Sequence, residues 1–254
     1  MLTLERQNEI LEYLKQNKTA TVRDLAMRLY VSDATIRRDL AEMEMLGLLR
    51  RSHGGAVLLE KNRDELSVLV RMEQNADAKR VISELTIPLL EPHASFWLDS
   101  SSTVRFLSTL WRPSGKTVFT TGIQTSLELS KLPDMQVIVP GGIVRFHRDS
   151  LEGEVALEQM RYFFADAMIC SCGGIEEDGT VSESTVAQCA IKQGLMAQSR
   201  MKILVVDHSK IGERRAFRIG NVADFDIFVC NADPGESLKA LCREHNVQLI
   251  WRQV

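Results

Sequence analysis

The stretch Val31–Val57, VSDATIRRDLAEMEMLGLLRRSHGGAV, carries a helix signal and a hairpin signal back to back. Ser32 suits a helix N-cap, and Asp33 puts negative charge in the first turn. Ile36, Leu40 and Met43 then recur at helical spacing and predict a buried stripe. That leaves Ala34, Thr35, Arg37 and Arg38 near the helix start and off the stripe. Gly47 is expected to stop the helix, and two short strands with Arg50 and Arg51 are expected around a His53-Gly54-Gly55 turn. A cationic helix start followed by a cationic hairpin suits a recognition helix in the major groove with a wing along the backbone. Ser32, Ala34, Thr35, Arg37, Arg38, Arg50, Arg51 and His53 are therefore the residues expected to face double-stranded DNA. Thr35 is placed near base edges, and Arg37 and Arg38 on phosphates or guanine.

The upstream residues extend the pattern. Ile10, Leu11 and Leu14 mark an amphipathic helix from about Leu4 to Gln16, and Thr21 caps a second in which Val22, Leu25, Ala26 and Leu29 face inward. Helix, helix, tight turn, recognition helix and hairpin is the winged form of helix-turn-helix. The alternative at this point is a plain three-helix bundle with Arg37 and Arg38 on a solvated face.

A length of 254 residues suits a small module plus one larger domain, and 44% hydrophobic content is ample for a packed core. No apolar run approaches the roughly 20 residues needed to cross a bilayer, and the charged start is unlike a signal peptide. A cytoplasmic protein without membrane contact is expected. The net charge of −3 gives no global pull toward nucleic acid. Residues 1–59 hold nine Lys/Arg against eight Asp/Glu, so the DNA module's charge is local to Arg37, Arg38, Arg50 and Arg51. Five widely spaced cysteines do not form a disulfide framework. Cys170 and Cys172 share one face of an expected strand; a C-x-C pair can ligate metal, yet no second pair accompanies it, so reduced buried thiols are expected. No metal or cofactor is expected anywhere.

Glu60–Gln74 is charged and reads as a linker, giving a winged helix-turn-helix domain over residues 1–58, a linker over 59–75 and an effector-sensing domain over 76–254. After a helix over Asp77–Leu90, strand-like runs (Ser95–Leu98, Val118–Thr121, Gln136–Val139, Ala167–Ser171, Lys202–Val206, Asp226–Cys230 and Gln248–Trp251) alternate with helical segments. Such alternation predicts an α/β domain with a largely parallel, doubly covered sheet, whose ligands bind beyond the carboxyl ends of the strands.

Polar and glycine residues collect at those ends. Asp99-Ser100-Ser101-Ser102-Thr103 lies between a strand and a helix, where backbone N–H groups and hydroxyls favour phosphate. An N-cap run that merely starts the helix is the other reading. Thr121-Gly122, Pro140-Gly141-Gly142 and Ser171-Cys172-Gly173-Gly174 stand at further strand ends, each also readable as a tight turn. Arg145, His147 and Arg148 offer phosphate ligands or a solvated loop. Asp207 and Lys210, in Asp207-His208-Ser209-Lys210, offer a hydroxyl acceptor and a cation, and Glu183 is a further hydroxyl contact.

Thr35-Ile36-Arg37-Arg38-Asp39-Leu40, Gly47-Leu48-Leu49 and Arg51-Ser52-His53-Gly54-Gly55-Ala56 together resemble the DeoR family of bacterial sugar-metabolism repressors. Leu98-Asp99-Ser100-Ser101-Ser102-Thr103 is similar to that family's phosphate loop, usually Leu-Asp-x-Gly-Thr-Thr, and Pro140-Gly141-Gly142, Asp178-Gly179 and Asp207-His208-Ser209-Lys210 match in order. Two positions depart: Ser101 stands where the loop has glycine, and Gly122 where asparagine is common. The resemblance implies a sensor domain similar to ribose-5-phosphate isomerase and glucosamine-6-phosphate deaminase, an effector that is a phosphorylated sugar or related metabolite, repression of a carbohydrate-utilisation operon, and a homodimer or homotetramer. Two rivals remain at this point. One is a sugar-phosphate isomerase or deaminase using Asp99, Glu183, Asp207 and Lys210 for proton transfer; the other is an interaction scaffold independent of nucleic acid.

Overall fold

The computed structural model describes residues 3–45, 48–58, 68–145 and 148–253. The expected helix stop at Gly47, most of the expected linker (residues 59–67) and His147 lie outside the described residues. The chain divides into two compact units, residues 1–67 and 68–254.

The first unit runs α1 (Thr3–Asn17), β1 (Thr19–Thr21), α2 (Val22–Leu29), α3 (Asp33–Met45), β2 (Leu49–Ser52) and β3 (Gly55–Leu58). Ile10, Leu14, Leu25, Ile36, Leu40 and Met43 are closed to solvent, so the stripes read from the sequence make the core of the unit. Thr21 Oγ1 accepts the N–H of Asp24 at 3.1 Å, and Ser32 Oγ accepts that of Thr35 at 3.2 Å, so both helices start at their expected caps. The hairpin differs in two ways from its expected form. Gly55 belongs to β3, leaving His53-Gly54 as the turn, and β1 joins as a third antiparallel strand in the order β1-β3-β2. The crossing of β1 over β3 explains the glycine: a Cβ on Gly55 would sit 2.1 Å from the Ala20 carbonyl oxygen.

The second unit opens with α4 (Val68–Glu73) and α5 (Ala76–Leu90). The charged segment read as linker therefore ends in a helix. The side chain that secures it lies further along the chain: Lys79, itself buried, donates its ammonium to the carbonyls of Arg71 and Gln74 at the end of α4. Then follow β4 (Ser95–Leu98), α6 (Ser102–Leu110), β5 (Thr117–Thr120), α7 (Ile123–Leu129), β6 (Gln136–Ile138), β7 (Ile143–Arg145), β8 (Ser150–Glu152), α8 (Glu154–Met160) and β9 (Ala165–Cys170). The chain ends with β10 (Gly174–Ile175), β11 (Thr180–Glu183), α9 (Val186–Ala197), β12 (Ser199–Val206), β13 (Phe217–Asn221), β14 (Ile227–Cys230), α10 (Glu236–Glu244) and β15 (Gln248–Trp251).

The seven strand-like runs of the sequence are the strands of one parallel sheet, ordered β15-β14-β12-β9-β4-β5-β6 among the described residues. Both faces are apolar. Phe96, Leu98, Val118, Ile169, Ile203 and Val205 pack with Ile82, Val104 and Leu107 on one side, while Trp97, Met168, Leu204, Val206 and Phe228 pack with Met160, Ile191 and Leu238 on the other. Burial on both faces is why these runs read as continuous rather than alternating apolar segments. From β4 the chain winds outward through β5 and β6, then returns to the other flank of β4 and continues through β9, β12, β14 and β15. The strand order reverses between β4 and β9, the kind of point where open α/β sheets leave a crevice for ligands. Cys172 lies just beyond β9 rather than on it, a departure from the expected shared strand face.

Candidate functional site

In the first unit the exposed rim is cationic. Ser32, Ala34, Arg37 and Arg38 are exposed at the start of α3, and Arg50, Arg51 and His53 on the hairpin. Thr35 is half-buried, and its hydroxyl lies 2.9 Å from Ser32 Oγ, so it is tied into the cap as well as standing at the helix start. Two residues not singled out by the sequence pattern hold α3 in place. Arg6 on α1 grips buried Asp39 with Nε to Oδ2 at 2.5 Å and Nη2 to Oδ1 at 3.0 Å, and Gln7 reaches Glu42 at 2.9 Å. The hydrogen bond to Asp39 lifts the Arg6 guanidinium above its already high value, outweighing burial. Asp39 thus points inward from the helix whose Arg37 and Arg38 point out.

In the second unit the loops after β4, β5, β9 and β12 converge at the reversal point. Asp99 is closed to solvent and fully engaged: its Oδ1 accepts the N–H of Ser101 at 2.9 Å, and its Oδ2 accepts the N–H of Ser171 at 3.0 Å and the ammonium of Lys192 at 2.9 Å. It joins the ends of β4 and β9 from beneath. Lys192, from α9, also reaches Glu183 Oε2 at 3.2 Å. Burial disfavours its charge, but Asp99 and Glu183 more than offset this and hold it protonated above its ordinary value. Glu183 is likewise pushed up by burial and pulled further down by Lys192, ending below its ordinary value.

Ser171 also accepts a hydrogen bond from Lys210 Nζ, Oγ to Nζ 3.0 Å, with Asp207 Oδ2 3.8 Å from the same nitrogen. Burial raises Asp207, yet Lys210, Ser209, Lys79 and Asn75 together keep it below its ordinary value. Ser101 Oγ caps α6 by accepting the N–H of Val104 at 3.2 Å. Gly122 sits against Ser100, where an added Cβ would come 3.4 Å from the Ser100 Cα. Arg148 Nη1 donates to Thr185 Oγ1 at 3.0 Å.

Asp99, Ser100, Ser101, Ser102, Thr103, Thr121, Gly122, Gly173, Asp207 and Lys210 are thus gathered by four strand-end loops, and Glu183 joins them from the end of β11. Ser101, Gly173, Glu183, Lys210 and also Arg148 retain exposure, whereas Asp99, Ser100, Ser102, Thr103, Thr121, Gly122 and Asp207 are buried. Gly141 and Gly142 lie apart from the crevice, beyond β6: the Gly141 N–H donates to Gln159 Oε1 at 2.6 Å, and a Cβ on Gly142 would meet the Glu152 carbonyl oxygen at 2.8 Å. The β7–β8 hairpin that follows them meets the loop after β5 directly, the Leu151 N–H donating to the Thr121 carbonyl at 2.8 Å, and a buried relay runs on from it, in which Glu152 accepts from Ser150 (2.8 Å) and Gln188 (2.6 Å), and Gln188 accepts from Ser100 (3.3 Å). Lys192, Gln188 and Glu152 were not distinguished in the sequence.

The cysteines are all buried free thiols; burial pushes Cys172 up to about 12 and Cys230 up to about 11, so neither is a thiolate at neutral pH. Among the described residues no group of three or more His, Cys, Asp or Glu is placed to hold a metal ion. No helix among them is long and apolar enough to cross a membrane.

A cationic helix and hairpin on one unit and a polar crevice at a sheet's reversal point on the other now have counterparts in known proteins. The DeoR-like helix-turn-helix domain matches residues 6–62, and the DeoR C terminal sensor domain residues 74–232. The chain belongs to the DeoR family. The transcriptional regulator GolR of Listeria innocua is 31% identical over 230 residues, 90% of this chain and 91% of that protein. The L-fucose operon activator of Haemophilus influenzae is 28% identical, covering 96% and 98% of the two chains. The glycerol-3-phosphate regulon repressor of Escherichia coli is also 28% identical, covering 98% and 99%. This DeoR-family protein is a DNA-binding transcriptional regulator with a sensor domain, not an enzyme, which removes both rival readings of the sequence.

Proposed function

We propose that this regulator represses a carbohydrate-utilisation operon and leaves its operator when a phosphorylated sugar or related metabolite binds beyond β4, β5, β9 and β12. The observation that carries the reading is the convergence of those four loops at the sheet's reversal point around Ser171, which Asp99 holds from beneath and Lys210 from the open side. Lys210 keeps 21% of its side chain exposed, so a cation stands beside the hydroxyls and backbone N–H groups of these loops, with Asp207 and Glu183 as hydroxyl acceptors. That mixture suits a small polyhydroxylated anion. The name of the glycerol-3-phosphate relative points to the same chemistry, and that of the L-fucose relative to a carbohydrate operon. On DNA, α3 enters the major groove and the β2–β3 hairpin follows the backbone, with two copies in a cytoplasmic homodimer or homotetramer reading half-sites about one helical turn apart, or a multiple of that.

The test is fluorescence anisotropy of a duplex carrying the gene's own promoter region, titrated with the full chain at fixed salt. Ribose 5-phosphate, fructose 6-phosphate, glycerol 3-phosphate and their unphosphorylated counterparts are added in turn. At least one phosphorylated compound is expected to weaken binding, and Lys210→Ala is expected to bind the duplex as the wild type does while losing that response. A panel without effect, or equal action by an unphosphorylated sugar, overturns the reading.

A further inference from the structure

Tyr30 ends α2 with φ 54° and ψ 43°, in the left-handed region. Its own N–H and that of Val31 both bond to the Ala26 carbonyl, the latter at 3.1 Å, which is the closure of a left-handed helix stop. Glycine or asparagine is favoured there, because a Cβ crowds the following carbonyl. Among the described residues six non-glycine positions have positive φ: Lys18, Tyr30, Asn75, Asp134, Asp149 and Asn246. Four of these are Asn or Asp, whose short polar side chains tolerate the conformation. Tyr30 is the aromatic among them, and it is 94% exposed. Burial therefore contributes almost nothing to offset the unfavourable backbone. A strained residue that the fold does not need marks a place where something outside the fold is met.

The position says what that something is. Tyr30 immediately precedes Val31, Ser32 and the start of α3, and exposure continues from it through Ser32 and Ala34 to Arg37 and Arg38. When the N-terminal end of a recognition helix lies in the major groove, the turn before it comes up against the flanking sugar–phosphate strand. A phenol there offers an O–H donor on a rigid arm, and tyrosine is one of the side chains that reach phosphate oxygens. We infer that Tyr30 is a DNA-backbone contact: its hydroxyl donates to a phosphate beside the groove that α3 enters, and so fixes the register of Arg37 and Arg38. This rests on the reading of α3 as the groove-facing helix.

The experiment compares wild type, Tyr30→Gly, Tyr30→Phe and Arg38→Ala as full chains. Thermal melting is measured for each, together with anisotropy at one salt concentration on the promoter duplex and on an unrelated duplex of equal length. Tyr30→Gly is expected to melt a few degrees higher, because glycine relieves the left-handed backbone, and yet to bind both duplexes about tenfold more weakly. That loss is the scale of a hydrogen bond to a charged group, and it is shared because phosphate carries no base identity. Tyr30→Phe is expected to melt like the wild type and to share the weakening. Unchanged binding in Tyr30→Gly or Tyr30→Phe overturns the contact. So do a lower melting temperature in Tyr30→Gly, a loss confined to the promoter duplex, or a changed oligomeric state. Arg38→Ala separates the two levels: if it binds as the wild type does, the reading of α3 fails, whereas weakened Arg38→Ala beside unaffected Tyr30 variants sinks the Tyr30 contact alone.

Discussion

Ser101 stands where the resembled phosphate loop has glycine, and its hydroxyl takes the N–H of Val104 while its own N–H goes to Asp99. The oxygen of Ser101 thus occupies a place at the start of α6 that an anionic oxygen would otherwise take. Glycine at an N-cap costs a helix only a few tenths of a kcal/mol relative to serine. Ser101→Gly is therefore expected to leave the fold intact and to tighten binding of the active sugar phosphate several-fold, read by isothermal titration calorimetry; identical isotherms would mean the anion sits elsewhere. The neighbouring Asp99 shows how much of a site one sequence exposes. Its place at a strand end was legible, because a polar run between an apolar strand and a helix is a local signal. Its burial was not, because that depends on Lys192, which in Ala190-Ile191-Lys192-Gln193 reads as an ordinary helical lysine until α9 is laid across the loops after β4 and β11. Removing one partner from such a buried pair typically destabilises a protein by about 3–5 kcal/mol, so Asp99 belongs to the frame of the crevice more than to its lining.

At the level of elements, the strands of the parallel sheet were legible because each is a short apolar run bounded by turn residues, and the wing because arginines flank a glycine turn. The short antiparallel pieces β1, β7, β8, β10, β11 and β13 were not: they are two to five residues long and mostly mixed in polarity, and β1 and β13 are defined by partners distant in the chain. The helix α4 was hidden for a similar reason, since six residues cannot sustain a helix alone. It owes its end to Lys79, whose burial, reinforced by the charge of Lys210, lowers its pKa to about 8 from 10.5. The unfolded chain then binds more protons than the folded one between these two values, so this group makes stability rise with pH across that window, and the cost of burying its charge is fully felt below about pH 8. Urea midpoints measured at pH 7.5, 9 and 10.5 are expected to rise for the wild type relative to Lys79→Met. A constant difference between the two proteins would show that the ammonium is not penalised.

For the molecule as a whole, an effector acts only through a difference in its affinity for the operator-bound and operator-free forms. A hundredfold release requires about 2.7 kcal/mol of such difference, and operator DNA must weaken effector binding by the same factor. The chain offers a physical link for this exchange within the second unit. Asn75, directly before α5, donates its side-chain amide to Asp207 Oδ1 and Ser209 Oγ, both at 3.1 Å, so the segment through which the chain enters this unit is clasped to the loop that carries Lys210. The Asn75 backbone is left-handed, φ 54°, a conformation that glycine adopts freely. Asn75→Gly accordingly removes the clasp while keeping the turn. Its expected signature is separation of the two halves of the function: promoter binding without effector and effector binding without DNA both stay within about twofold of the wild type, while the factor by which each weakens the other falls from the wild-type value toward one. Measuring the promoter dissociation constant with and without saturating sugar phosphate, and the reciprocal titration, gives that factor twice. An undiminished factor in Asn75→Gly would mean that the crevice reaches the DNA-reading unit by another route.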